Sequence, residues 1–64
     1  MNLIELKEIT GTRNNARYTI MLWGITVLVR VKWNNIPNHL KYSTVLHAIP
    51  TNYENTIEWK VRLE

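Results

Sequence analysis

Residues 16 to 33, ARYTIMLWGITVLVRVKW, form an apolar stretch rich in β-branched residues and interrupted once, at Gly24. This stretch constrains the fold more than any other part of the chain. Its uninterrupted core, Tyr18 to Val29, lies between Arg17 and Arg30 and falls well short of the roughly 20 residues a spanning helix needs. A small membrane protein is therefore the least favoured reading. The stretch is also too long for one ordinary strand of about 5–6 residues. If Trp23 and Gly24 make a two-residue hairpin turn, Leu22 faces Ile25, Ile20 faces Val27, and Tyr18 faces Val29. The apolar residues then collect on one face, with Arg17, Thr19, Met21, Thr26, Leu28, Arg30 and Lys32 on the other. A single strand bent at Gly24 is the competing reading, because Trp is a poor residue for the positive φ of a primed turn.

Asparagine-rich breaks punctuate the rest. Asn14-Asn15, Asn34-Asn35 with Pro37-Asn38, and Pro50-Thr51-Asn52 with Asn55 carry turn chemistry and leave segments of strand length. In the last segment Ile57, Trp59, Val61 and Leu63 alternate with Glu58, Lys60, Arg62 and Glu64, the pattern of a half-buried strand. Residues 2 to 9 alternate more weakly and are read as a first strand. Residues 39 to 49, HLKYSTVLHAI, satisfy two periods. Tyr42, Val45, Leu46 and Ile49 make a helical stripe between Asn38 and Pro50, while Leu40, Tyr42, Thr44, Leu46 and Ala48 alternate. Tyr, Thr and Val tip this segment to strand. The expected fold is all-β, a five-strand meander forming a small barrel or a strongly twisted sheet. The alternative is a β-rich α+β domain with one helix at about 38–49. Ile20, Val27, Val29, Ile57, Trp59 and Val61 are the expected core.

The chain of 64 residues is a single small domain, and a domain of this size is marginal unless stapled. There is no cysteine and no aspartate, and His39 and His47 are the only histidines, so neither a disulfide nor a structural metal is expected. With 45% hydrophobic residues, a homodimer or other homo-oligomer is the staple that remains. The N-terminus lacks a basic segment followed by an apolar run, so no secretory signal is read and the cytoplasm is the expected location.

Little here supplies catalysis. Ser43 is the only serine, with His39 and His47 four residues to either side, but no nucleophile elbow accompanies them and Gly11 and Gly24 are the only glycines. Flanking histidines of this kind are more often surface polar residues. No catalytic residue, cofactor or metal ligand is assigned.

Charge is more informative. All five acids are glutamates, Glu5, Glu8, Glu54, Glu58 and Glu64, leaving the middle of the chain uniformly basic. The net charge of +3 is also what an ordinary solvated surface carries. Arg30 and Lys32 with Arg17 across the hairpin, and Lys60 with Arg62, would make a cationic sheet face if their strands were neighbours, and Arg13 with Asn14 and Asn15 would add a basic loop. Small barrels hold single-stranded nucleic acid with such cations interleaved by aromatics. Here the aromatics fall mostly on the opposite parity, which makes nucleic acid the second reading. The first is a non-enzymatic protein that docks on a larger protein as an inhibitor or adaptor, of the kind that viruses and mobile elements use as accessory products. Trp23 at a hairpin tip and Tyr53 among turn residues are the expected hot spots, with Arg17, Arg30 and Lys32 steering an acidic partner.

Overall fold

The computed structural model describes residues 1–10 and 16–64, and for Tyr53 the backbone alone. The basic loop expected at Arg13, Asn14 and Asn15 lies outside the described residues. The architecture is strand-rich, but the five-strand meander is not what forms. Among the described residues four strands make one open sheet, with two α-helices on one of its faces.

The N-terminus departs from the expected strand. Residues Leu3–Thr10 form helix α1. Its start is fixed by a reciprocal cap: the Glu5 amide donates to Asn2 Oδ1 at 2.9 Å and the Asn2 amide donates to Glu5 Oε1 at 3.1 Å. This arrangement satisfies two donors that a helix start otherwise leaves open. Leu3 and Leu6, one turn apart, are the buried side of α1. The N-terminus is held beyond the helix as well. The Val45 amide donates to the Met1 carbonyl at 2.7 Å, and Asn2 bridges Thr44.

Strands β1 (Arg17–Leu22) and β2 (Ile25–Val31) form the expected hairpin, with Leu22 opposite Ile25. Trp23 and Gly24 have φ of 52° and 78°, and positive φ at both central residues marks a type I′ turn. The register then departs from simple alternation. Between the pairs Met21–Thr26 and Ile20–Leu28, β2 advances two residues for one of β1, and between Ile20–Leu28 and Tyr18–Val31 it advances three for two. Each extra residue is a β-bulge, and each flips the parity of the residues beyond it. Arg30, at φ 50°, sits in the second. The consequence corrects the expected core. Val27 and Val29 are exposed, Val29 to 65%, while Leu28 and Val31 pack inward.

A 3₁₀ turn (Trp33–Asn35) and the short helix α2 (Asn38–Lys41) come next, and then β3 (Val45–Tyr53) and β4 (Thr56–Leu63). Each reading of residues 39–49 is thus right over part of it: one helical turn first, strand from Val45. Glu54 and Asn55, both at positive φ, turn β3 into β4. The sheet order is β2-β1-β4-β3, so the two hairpins meet through their first and last strands, which run parallel. That central parallel pair rules out a meander, and β2 and β3 remain as open edges.

The core lies between the helices and one face of the sheet. Leu3, Leu6, Ile36 and Leu40 pack on Tyr18, Ile20, Val61 and Leu63, with Trp33 and Trp59 packed at its margin. Trp33 lies 5.5 Å from the Tyr18 ring and carries the Lys7 and Lys41 ammoniums at 5.3 and 4.8 Å from its centroid, a cation–π arrangement that ties α1 and α2 together. Ile57, expected in the core, is exposed beside the Glu54–Asn55 turn.

Candidate functional site

Among the described residues, no element covers the face of the sheet away from the helices. Its residues are set by the register, since alternate residues share a face and paired residues face the same way. On β1 they are Arg17, Thr19 and Met21. Their neighbours on β4 are Glu58, Lys60 and Arg62, and beyond those on β3 lie Thr51, Ile49 and His47. The face is therefore a grid, with cations on the central strand and an apolar residue on each flank.

At its lower end Glu58 is only 6% exposed although no helix covers it. Arg30 reaches from β2 across β1 and donates from Nε to Glu58 Oε1 at 3.0 Å, and the Thr19 hydroxyl donates to Oε2 at 3.0 Å. The Arg30 amide donates in turn to the Thr19 hydroxyl at 3.2 Å. A buried carboxylate needs such donors, because an unpaired charge out of water is costly. The second β2 bulge sits at Arg30, so the residue with the left-handed backbone is the one that makes the ion pair. Arg17, paired with Glu58 in the register, keeps its Nη1 buried without a hydrogen-bond partner among the described residues.

The upper part of the face differs. Thr19, Met21, His47, Ile49, Lys60 and Arg62 line a shallow depression of about 390 Å³. Ile49, Lys60 and Arg62 are exposed, and among the described residues neither Lys60 nor Arg62 is in an ion pair. No described aromatic side chain lies on this face. Tyr18 and Trp59 belong to the covered one.

The expected site residues disperse. Trp23 is 81% exposed at the β1–β2 tip, just beyond Met21. Tyr53 ends β3 at the opposite end of the sheet, and β1 and β4 are parallel, so the two tips lie about 26 Å apart along the strands and cannot share one compact epitope. Arg17 and Arg30 lie at the lower end of the open face around Glu58. Lys32 has left the sheet and precedes the 3₁₀ turn. The basic face expected if the strand of Arg30 and Lys32 neighbours the last strand does not form that way: β4 pairs with β1 instead, so Lys60 and Arg62 share their face with Arg17. Met21 falls on this face by the parity of the hairpin, whereas Ile49 carries no sequence signal that marks it as a surface residue. Its role needs the strand order, which alternation alone does not give.

The serine and histidines do not gather into a nucleophile and base. Ser43 Oγ donates to the His39 carbonyl at 3.3 Å, closing the end of α2, while His47 stands on β3 opposite Arg62. Among the described residues no cluster of His and Glu could hold a metal, and no helix is long and apolar enough to cross a membrane. Comparison of the chain with protein-family models, curated proteins and solved structures finds no match.

Proposed function

We propose that this is a non-enzymatic binding protein of the cytoplasm that docks on a larger protein through the uncovered face of its sheet, as an inhibitor or adaptor. The observation that carries the reading is that face itself, with Met21 and Ile49 flanking Lys60 and Arg62 over the depression. The half-exposed Met21 and exposed Ile49 beside cations that no described residue pairs, on a sheet whose other face holds the core, support docking through this face. Of the two expected hot spots, Trp23 and Tyr53, Trp23 is at the same end of the sheet as the depression, although it does not line it.

Side-chain docking is favoured over strand addition. β3 carries Pro50 in mid-strand, and β2 is broken by two bulges, both devices that discourage pairing at an edge. Self-association, expected from the size of the chain, would use the β2 side, where Ile25, Val27 and Val29 are exposed. Nucleic acid remains the second reading because Arg17, Lys60 and Arg62 share one face. The want of a described aromatic there counts against a stacking platform.

Affinity capture from the native cell separates these readings. The tagged chain and its Ile49→Glu variant are compared, each with and without nuclease. A protein that survives nuclease and is lost with Ile49→Glu supports the reading, whereas one that disappears with nuclease transfers it to nucleic acid.

A further inference from the structure

We propose that the occupant of the open face is an acidic amphipathic helix of the partner, lying along β4 between Met21 and Ile49. The proposal rests on the docking role of that face and adds the chemistry of what docks.

The dimensions fit a helix. The columns of β1 and β3 are two strand spacings apart, about 9.6 Å, close to the roughly 10–12 Å width of a helix with its side chains. A helix laid along β4 therefore touches Met21 on one side and Ile49 on the other. Lys60 and Arg62, two residues apart on one strand, are separated by about 6.7 Å. Residues i and i+4 of a helix are separated by about 6 Å along its axis, so two carboxylates one turn apart meet both cations. Met21 adapts to the shape of an apolar neighbour.

Charge selects among occupants. A second copy placed face to face would bring Arg17, Lys60 and Arg62 against their own equivalents, a juxtaposition that costs binding free energy. The only acid of the grid, Glu58, is buried and occupied by Arg30 and Thr19, so it does not offset Lys60 and Arg62. A polyanion without apolar groups would satisfy those cations but leave Met21 and Ile49 uncovered. A helix whose facing side carries acids one turn apart, with apolar residues on both sides of them, satisfies both sets.

A library of designed single helices with one randomised face, selected against the folded chain, tests this. The expected binders carry Asp or Glu one turn apart beside Leu, Ile or Met. Their affinity should fall about tenfold or more for Lys60→Glu/Arg62→Glu and for Ile49→Glu. All three positions are exposed, and circular dichroism checks that each variant is folded. The milder Lys60→Gln/Arg62→Gln variant should show a smaller loss in the same direction. Selected helices without acidic enrichment, helices that bind the double variant as well as the parent, or displacement of the helices by a single-stranded oligothymidylate at lower concentration would each overturn the proposal. If the captured native partner is lost with Ile49→Glu while selected helices are not acidic, the docking face stands and the acidic helix falls. If the captured partner ignores Ile49→Glu, the docking face itself falls.

Discussion

Two valines that look alike in the sequence should respond very differently to truncation. Val61, on β4, is 2% exposed and belongs to the core, whereas Val29, on β2 beyond the first bulge, is 65% exposed. Valine to alanine removes two carbons. At about 0.8 kcal/mol per buried methylene, Val61→Ala loses about 1.6 kcal/mol of transfer free energy, and the cavity raises this to about 2–3 kcal/mol. Only about a third of the Val29 side chain has left water, so Val29→Ala should cost about 0.5 kcal/mol. Against a total of about 3–10 kcal/mol for a chain of 64 residues, the first change is severe and the second minor. Urea unfolding monitored by far-ultraviolet circular dichroism separates them. With a slope of about 1 kcal/mol per molar, the midpoint should fall by about 2–3 M for Val61→Ala and about 0.5 M for Val29→Ala. Leu28→Ala should lie with the core variants. Equal losses for Val29 and Val61 would mean that β2 pairs without bulges, and the placement of Arg30 over Glu58 would fall with it.

Asn2→Ala removes half of the reciprocal cap on α1 and should cost about 1 kcal/mol, read as a lower thermal midpoint; an unchanged midpoint would show that packing alone holds the helix. Trp23→Asn places a residue that tolerates φ of 52° where a bulky exposed one now sits, and should raise the midpoint while weakening partner capture; a fall in midpoint would show that Trp23 packs on its own fold. Glu58→Gln keeps the shape but not the charge that Arg30 and Thr19 serve, and should cost about 1–2 kcal/mol in chemical denaturation; no loss would mean that the pair is inert.

The hairpin at Trp23-Gly24 and the alternation of β4 are legible in the sequence because each has a local signal: a glycine where positive φ is needed, and charges strictly out of phase with apolar residues. The bulges are not. From Ile25 to Val29 every residue but Thr26 is apolar, so a slip of one residue leaves the pattern unchanged to the eye. Helix α1 does have a signal, an Asn2–Glu5 cap with Leu3 and Leu6 one turn apart, but an equally short alternation competes with it. At residues 39–49 two periods overlap because the chain uses both in succession. The cationic face is readable by parity only as a conditional, and its condition, the strand of Arg30 and Lys32 beside the last strand, is not met, because β1 lies between them. Met21 falls on the open face by parity, but Ile49 is not readable, since its exposure depends on which face the helices cover. Tyr53 and Trp23 look equivalent as turn aromatics, and only the parallel β1–β4 pairing reveals that they lie at opposite ends.

The most direct test of the open face as the binding surface is a chemical-shift map of the isotopically labelled chain, recorded as the captured partner is added. The largest changes are expected at the methyls of Met21 and Ile49, the amides of Lys60 and Arg62, and the Trp23 indole, with the Leu3 and Leu6 methyls little affected. A map centred on α1 and α2, with Met21, Ile49, Lys60 and Arg62 unmoved, would contradict the open sheet face as the binding surface.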